Sequence, residues 1–329
     1  MRISAILPTC NRKRFLQEQL DSLVAQTRWP NELIIGDDQS TDDTPEIIKR
    51  FIADAPFPVL SYRNKCNVGA SRNAELAIDQ CSGDVVVICD DDDICLPDRL
   101  KAIEEEFTKS PEVGLVLTDS DLVDQALRPT GTTLWAAYKF TSREVSAISK
   151  DPICTLAKHF VGAGHVMSFR KSLTPYIIPF PKRLPAGVFF DIWLSLVLAS
   201  IAKVVCIPRS LVTHRLHQGQ IAGLPALSRF NERIDQIRSS EREKMAAFAG
   251  LLQEVIDRIS VQILQIDTAW SKQNVATLIA WAAHLRMQSK LSNGKSARLL
   301  PIALALFTGR YHQYSRGFLT AARDLLILH

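Results

Sequence analysis

Four consecutive aspartates, Asp90 to Asp93, directly follow the apolar run Val85 to Cys89. Carboxylates this close repel one another and are costly to bury without a cation, so helix capping or solvation alone does not account for all four. Mg²⁺ and Mn²⁺ prefer carboxylate and phosphate oxygens, and the run therefore predicts a metal-assisted phosphate site. Asp90 and Asp92 leave the strand on the same side and suit a shared ion. Asp93 is expected instead to cap the helix that begins near Pro97.

Two further polar segments follow predicted strands. Asp37 and Asp38 end an apolar run and precede the Ser/Thr/Asp-rich segment 39–44, which is typical of a helix start. Because these two carboxylates lie before the cap, we expect them to accept hydrogen bonds from a base or a ribose. The segment 67–73 opens the next helix with a glycine and with Arg72, which is expected to contact an anionic nucleotide.

The elements around these segments alternate in type over the first third of the chain. Strands are predicted at Ile3–Leu7, Glu32–Gly36, Val59–Tyr62, Asp84–Cys89 and Gly114–Leu117, and helices at about Arg14–Ala25, Pro45–Ala53, Ala70–Asp79 and Pro97–Phe107. This alternation predicts an α/β fold whose mostly parallel sheet is covered on both faces. In such sheets ligands bind beyond the carboxyl ends of the strands, where all three polar segments fall.

The second half of the chain is less regular at first. From Asp121 to Pro185 we expect an irregular lobe facing the acceptor, with one strand at His165–Phe169. A helix at Phe190–Ser200 and a strand at Lys203–Ile207 then restore regular structure. The Gly- and Pro-containing segment 218–225 is the expected domain boundary.

Beyond that boundary we predict a helical C-terminal extension. An apolar stripe repeats there at a spacing of three or four residues: Leu252, Val255, Ile259, Ile263, Ile266 and Trp270. The expected domains are therefore 1–220, with a nucleotide half at 1–120 and an acceptor half at 121–220, and a helical extension at 221–329.

Composition narrows the class of protein. The chain has 329 residues, 47% of them apolar, and a formal charge of only +4, so no nucleic-acid partner is expected. Seven scattered cysteines without paired spacing are expected to be reduced core thiols. No secretory leader is expected, because the pattern of the first strand starts at Arg2. No transmembrane helix is expected either, because the longest apolar stretch, Ile192–Ile207, contains Lys203 and is shorter than a bilayer span. A cytoplasmic location is therefore expected.

The ordered motifs resemble those of family 2 glycosyltransferases. The resemblance rests on Ile6–Arg12, Asp37–Thr44, Asn67–Asn73, and Cys89–Asp93 followed by Leu96–Leu100. It implies a GT-A fold, which is a Rossmann-like αβα sandwich, a nucleotide-sugar donor, and Mg²⁺ or Mn²⁺ held at an Asp-x-Asp motif. In this sequence that motif falls on Asp90 and Asp92.

The resemblance also implies which residues contact the donor. Asp37, Asp38 and Arg72 take positions that line the nucleotide pocket, and Pro8 and Thr9 would lie against the nucleoside. The donor contacts are further expected to include Asp90 and Asp91.

A looser resemblance extends into the segments 187–194 and 213–217. It implies that Asp191 is the catalytic base and that Arg215 and His217 close on the diphosphate, with His217 also near the metal. Phe190 and His214 depart from the family pattern, which commonly has an acidic residue or histidine and a tyrosine there. Two simpler interpretations remain, namely that Asp191 only caps a helix and that His217 is an ordinary surface histidine.

The function expected is metal-dependent, inverting transfer of a sugar to a hydroxyl of a glycan or lipid-linked acceptor. The segments 191–200, 215–219 and 317–324 resemble bacterial rhamnosyltransferase-like members that build cell-surface polysaccharide. One alternative is a sugar nucleotidyltransferase, although the segment 9–13 lacks the glycine-rich loop expected after strand one. Another is a catalytically silent family member that only binds. A nicotinamide enzyme is disfavoured because no Gly-x-Gly-x-x-Gly follows strand one.

The C-terminal segment is strongly basic. Its cationic residues are Arg286, Lys290, Lys295, Arg298, Arg310, Arg316 and Arg323, against the single acidic residue Asp324. A basic amphipathic surface of this kind is suited to anionic lipid, which would place the protein on the cytoplasmic face of the inner membrane. A solvated basic face or an oligomer contact fits the pattern equally well.

Overall fold

The predicted alternation of strands and helices is present in the computed structural model, which describes residues 1–159, 161–185, 188–218, 220, 240–262, 269–291, 295–315 and 317–326. The strands are β1 Ile3–Thr9, β2 Glu32–Asp37, β3 Val59–Arg63, β4 Val85–Ile88, β5 Ile94–Cys95, β6 Val113–Asp124, β7 Pro129–Thr133, β8 Met167–Arg170 and β9 Lys203–Leu216. The helices of the first 201 residues are α1 Leu16–Val24, α2 Thr44–Asp54, α3 Ala70–Gln80, α4 Arg99–Lys109, α5 Leu134–Ala137, α6 Ser142–Ile148, α7 Pro152–Lys158, α8 Thr174–Ile177 and α9 Phe190–Ile201. Those of the C-terminal part are α10 Ser240–Gln262, α11 Ala269–Ser289, α12 Lys295–Phe307, α13 Arg310–Tyr314 and α14 Phe318–Leu326.

The strands form one mixed sheet in the order β3-β2-β1-β4-β8-β6-β9-β5, with β7 paired to β6. β1 to β4 are parallel, as are β6 and β9, whereas β8 runs antiparallel to both of its neighbours. Alternate residues of β1 enter separate cores, Ile6 on one face and Ala5 and Leu7 on the other. Both faces of the sheet are therefore covered, as the apolar strand sequences predicted.

Two strands are longer than the sequence indicated. β6 continues past the predicted end at Leu117, and β9 continues past Ile207, because the two strands hydrogen-bond to each other over their length. Buried Thr118 and Ser120 interrupt the apolar pattern of β6, which is why its second half did not read as a strand. The predicted strand at His165 begins only at Met167, since residues 164–166 form a 3₁₀ turn. The extension of β9 carries its last residues alongside the aspartate run.

The C-terminal helices share the core of the sheet domain. Leu252, Val255 and Ile259 of α10 are buried in the cluster that also contains Trp193 of α9, in agreement with the predicted apolar stripe. Ile263, Ile266 and most of the expected boundary at 218–225 lie outside the described residues. The division at residue 220 stays a prediction. Within the described part of the chain, no helix has both the length and the apolar character needed to cross a bilayer.

The cysteines are free thiols, but the expectation that they lie in the core holds for three of the seven, since Cys66 is exposed and Cys10, Cys154 and Cys206 are partly exposed. Cys81, Cys89 and Cys95 are buried, and none of the seven forms a disulfide.

Candidate active site

A pocket of about 350 Å³ lies at the carboxyl ends of β1, β2 and β4. The described residues that line it are Pro8, Thr9, Cys10, Arg12, Asp38, Asn67, Gly69, Ala70, Asn73, Asp90, Asp91, Asp92, Gly164, Phe189, Phe190, Asp191, His214 and Gln220. This is the edge at which parallel sheets bind ligands, because the loops that follow the strands converge there. Three of the predicted polar segments meet at this edge.

Asp38 organises the loop that leads into α3. Its Oδ1 accepts a hydrogen bond from the Val68 amide and its Oδ2 accepts one from the Gly69 amide, each at 2.8 Å. Asn64 donates a third hydrogen bond to Oδ1 at 2.8 Å. Gly69 has φ of 85°, a left-handed conformation that favours glycine and turns both amides toward the carboxylate. Asp38 therefore shapes the pocket wall as well as lining it.

Asp37 and Arg72, which were also predicted to line the nucleotide pocket, are not among its described lining residues. Asp37 is buried, and its Oδ1 accepts a hydrogen bond from the Ser40 amide at 3.0 Å. Its Oδ2 lies 3.2 Å from Arg63 Nε. Arg72 forms an ion pair with Glu75 one turn along α3. In this structure both side chains are engaged by neighbouring parts of the fold, and their donor-binding roles stay predictions.

Asp90 and Asp91 differ in exposure. The Asp90 side chain lines the pocket and is 37% exposed, and its Oδ2 lies 3.6 Å from His165 Nδ1. Asp91 is buried, and accepts hydrogen bonds from Arg12 Nε at 3.0 Å and from the Cys10 amide at 3.3 Å. Burial and the neighbouring Asp92 raise the pKa of Asp91 despite the Arg12 guanidinium. Asp90 is thus the more accessible ligand, and Asp91 ties the run to strand one.

Asp92 faces the loop after β9. Its Oδ2 lies 3.0 Å from His217 Nε2 and 3.4 Å from Arg12 Nε. Burial, together with Asp93 and Asp90, raises the pKa of Asp92. His217 is therefore part of the aspartate cluster and not an ordinary surface histidine, which answers one of the simpler interpretations.

The expectation that Asp93 caps a helix is wrong. The residue before α4 is Asp98, whereas the carboxylate of Asp93 lies 3.0 Å from His214 Nδ1 and accepts a hydrogen bond from the Arg215 amide at 3.0 Å. Burial would raise the pKa of Asp93, but His214 and His165 lower it to about 2. Asp93 is the anion of a buried ion pair that joins the aspartate run to β9.

Arg215 was predicted to close on the diphosphate. In this structure its guanidinium contacts the fold around the run, and its donor-binding role stays a prediction. Nε donates to the Asp92 carbonyl at 2.9 Å and Nη1 donates to the Gln125 carbonyl at 3.0 Å. The guanidinium also pairs with Glu18 and stacks over the Phe15 ring at 4.7 Å. Among the described residues that line the pocket, the β9 residue is instead His214.

The ion pair between Asp93 and His214 predicts a pH dependence of stability. Burial would lower the pKa of His214, but Asp93 raises it from 6.5 to about 9. The stabilisation is therefore complete below pH 6.5 and is lost as the pH rises through about 9. In EDTA, we expect urea unfolding of the wild type to lose on the order of 3 kcal/mol across this range, from roughly 1.4 kcal/mol per pK unit. If His214→Gln shows the same loss, another group is responsible.

Asp191 lies in the first turn of α9 and lines the same pocket as Asp90, Asp91 and Asp92. The residue that precedes this helix is Phe189, so Asp191 is not its N-cap, although its Oδ1 accepts the Ile192 amide at 2.8 Å. Burial and the negative charge of Asp90 raise the pKa of Asp191 to about 7, against the opposing effect of its backbone hydrogen bonds. Such a value suits a general base near neutral pH. The adjacent Phe190 stacks on Phe180 at 5.9 Å.

The donor set of the pocket fits a hard divalent cation. Five carboxylates line the pocket: Asp38, Asp90, Asp91, Asp92 and Asp191. The cationic side chains among the lining residues are Arg12 and His214. Carboxylates are suitable ligands for both Mg²⁺ and Mn²⁺. The predicted set of Asp90, Asp92 and His217 includes the close pair of Asp92 with His217.

A second arrangement of possible ligands lies deeper. Among the described residues, Asp93, His165 and His214 place ligand atoms within 4.8 Å of one another. The two imidazole rings stack at 4.2 Å, and Asp93 is already paired with His214. This cluster is explained as a buried ion pair that supports the site.

Arg12, His165 and His214 were not assigned as site residues from the sequence. Arg12 lies within the first motif, and its position shortly after strand one is the sequence feature that could have identified it as a site residue. His214 lies in the segment 213–217, where it departs from the family pattern, and His165 lies in none of the motifs. Their proximity follows from the pairing of β6 with both β8 and β9.

Comparisons with solved structures agree with this fold. TarS 1-349 of S. aureus, crystallised with UDP-GlcNAc, has a TM-score of 0.60 at 18% identity, covering 98% of this chain and 91% of that chain. The mannosyltransferase PcManGT from Pyrobaculum calidifontis, in complex with GDP-Man and Mn²⁺, has a TM-score of 0.52 at 19% identity, covering 99% of this chain and 87% of that chain. At these identities the likeness concerns the fold, and the predicted GT-A architecture is confirmed.

Sequence comparisons give the family. Abequosyltransferase RfbV of Salmonella typhimurium is 33% identical over 129 residues, which cover 38% of this chain and 39% of that relative's length. The family model described as Glycosyl transferase family 2 matches residues 4–171, just over half of the chain. That span contains the four motifs and the aspartate run, and the chain belongs to glycosyltransferase family 2.

Proposed function

We propose that this protein is a metal-dependent, inverting glycosyltransferase that moves a sugar from a nucleoside-diphosphate sugar to a hydroxyl of a glycan or lipid-linked acceptor. The observation that carries the proposal is the placement of Asp191 in the same pocket as Asp90, Asp91 and Asp92. A base with a pKa of about 7 thereby faces a carboxylate cluster suited to a cation and a diphosphate.

The proposed chemistry is one displacement at the anomeric carbon. Asp191 accepts the proton of the acceptor hydroxyl as the hydroxyl oxygen attacks the anomeric carbon. The bond between the anomeric carbon and the diphosphate oxygen breaks in the same step. Attack from the side opposite the leaving group inverts the configuration. Phe189 and Phe190 flank Asp191 in the pocket lining and would exclude water from the reacting atoms.

The donor would occupy the part of the pocket between strand one and the aspartate run. Pro8, Thr9 and Asp38 would flank its nucleoside, and Asp91 with Arg12 would support the diphosphate end. Asp90, Asp92 and His217 would hold Mg²⁺ or Mn²⁺, which when bound supplies positive charge for the leaving diphosphate. The Mn²⁺ complex of PcManGT supports the choice of a divalent ion.

The proposal extends to domain roles and location. Residues 1–120 would form the nucleotide-sugar half, 121–220 the acceptor half, and 221–329 a helical extension. The enzyme would act in cell-surface polysaccharide synthesis at the cytoplasmic face of the inner membrane, in contact with it through the basic C-terminal helices. The relative RfbV, an abequosyltransferase, supports the assignment to sugar transfer.

A donor screen tests the proposal. Purified protein is incubated with a panel of UDP-, GDP-, CDP- and dTDP-sugars, with Mg²⁺, with Mn²⁺ or with EDTA, and release of the nucleoside diphosphate is measured. We expect slow hydrolysis of one donor class with a divalent ion and none in EDTA, because the acidic pocket repels a bare diphosphate. Binding without turnover even when acceptors are supplied would support the silent alternative, and turnover in EDTA would overturn the metal assignment.

A further inference from the structure

The C-terminal helices bury a polar network. Arg298 of α12 is 1% exposed and donates a hydrogen bond from Nη1 to the Asp324 carbonyl at 3.0 Å. The Oδ2 of Asp324 accepts hydrogen bonds from Gln288 Nε2 at 2.8 Å and from the Tyr311 hydroxyl at 2.9 Å. The inward side of α12 therefore carries a charged residue with specific partners.

The outward side of α12 is apolar. Leu299, Leu300, Leu304 and Phe307 are 54%, 78%, 60% and 91% exposed, and together they are called the apolar face. Their spacing places them on one side of the helix, opposite Arg298, Ile302 and Ala305. The other exposed side chains described on α12 are serine and alanine, without a charge. The usual arrangement of a surface helix, with apolar residues inward and charged residues outward, is thus reversed in part.

A second apolar surface lies on the neighbouring helix. α14 packs against α12 and begins with Phe318 and Leu319, which are 69% and 76% exposed. Clusters of exposed leucine and phenylalanine on a folded chain mark a binding surface for an apolar partner.

The charge around the apolar face selects the partner. In the sequence, seven arginines and lysines and one acidic residue, Asp324, lie between residues 286 and 324. Arg298 and Asp324 are buried, whereas Arg286, near the end of α11, and Lys290, directly after α11, are exposed. A second copy of this chain would bring two basic surfaces together, whereas anionic lipid headgroups would neutralise them.

We propose that the apolar face inserts into the headgroup region of an anionic bilayer. At 13 residues α12 is about 20 Å long, too short to span the hydrocarbon core but suited to lying in the interface. Leucine and phenylalanine supply buried apolar area, and the basic residues of this segment, the exposed Arg286 and Lys290 among them, supply attraction to phospholipid headgroups. This inference deepens the membrane contact proposed above by naming the residues that make it, and it does not depend on sugar transfer.

Vesicle binding tests the inference with the full chain and without donor. Sedimentation is measured with vesicles of phosphatidylcholine alone and with vesicles that contain phosphatidylglycerol. We expect the wild type to bind the anionic vesicles. The affinity of the double variant Leu300→Ser with Phe307→Ser should be lower by about tenfold or more, because apolar area is lost. The matched control, Leu60→Ser with Val261→Ser, removes two other exposed apolar side chains and should bind like the wild type.

A second measurement protects the test against misfolding. Phe307→Trp should show a blue-shifted emission with anionic vesicles beyond any shift of the wild type, since the new indole enters an apolar environment. Unchanged binding by the Ser double variant would overturn the inference. A dimer in solution that this variant converts to monomer would also overturn it and assign the apolar face to a second copy. Donor hydrolysis should be unaffected in the Ser double variant and in Phe307→Trp. A failure of vesicle binding can therefore be distinguished from a failure of the proposed activity.

Discussion

Asp191→Asn is expected to lower kcat by about 10²–10⁴-fold and to leave the dissociation constant of the donor unchanged. The amide cannot accept the proton of the acceptor hydroxyl, so the attacking oxygen loses its base. The side chain keeps the same size, and an amide oxygen can still accept the hydrogen bond that the Ile192 amide donates to Asp191. Transfer to an acceptor is measured by product formation, and donor affinity by calorimetry with the same protein.

The pH profile separates a proton-accepting role from a structural one. Because the carboxylate is the active form and the pKa of Asp191 is raised to about 7 in the free enzyme, kcat/KM of the wild type should rise with unit slope up to this pH and then level. Asp191→Asn should lack this limb. Asp54→Asn, at an exposed site on α2, is the matched control and should retain both rate and profile. An Asp191→Asn enzyme with wild-type turnover would remove this residue from the mechanism.

The positions of the first strands could be predicted from sequence because each carries its information locally. β1, β2 and β4 are continuous apolar runs that end in polar residues, and a parallel sheet brings those ends to one edge. That Asp38, Asp90 and Asp92 line one pocket therefore needed no knowledge of distant residues. The order of the motifs in the chain was sufficient.

The contacts that Asp93 and Arg215 make in the structure could not be predicted in this way. Both depend on β9, which passes beside the aspartate run more than 120 residues later in the chain and is longer than its apolar part. From the local sequence, Asp93 was expected to cap the helix that begins near Pro97. Its tertiary contacts with His214 and with the Arg215 amide determine its role instead. Arg215 in turn binds carbonyl groups that sequence does not reveal, those of Asp92 and Gln125.

Asp90→Asn is expected to weaken donor binding in the presence of Mn²⁺ by at least about 10–100-fold, the loss that even outer-shell changes around a metal can cause. Asp90 is the most accessible carboxylate of the run, and its Oδ2 lies 3.6 Å from His165 Nδ1. The substitution should therefore leave the fold intact, which thermal unfolding in EDTA would verify. Asp98→Asn, exposed at the start of α4, serves as the matched control.

The sign of the effect in EDTA distinguishes a metal ligand from a direct donor contact. Without an ion, five carboxylates line the pocket, and two unit negative charges 4 Å apart in water repel each other by about 1 kcal/mol. Removing the charge of Asp90 should then strengthen binding of the bare nucleoside diphosphate by up to a fewfold, while the same change weakens binding with Mn²⁺. A carboxylate that contacts the donor directly would weaken binding under both conditions when it is replaced. Calorimetric titration of the wild type and Asp90→Asn with UDP and GDP, with and without Mn²⁺, measures both signs, and weaker binding in both media would refute the role of Asp90 as a metal ligand.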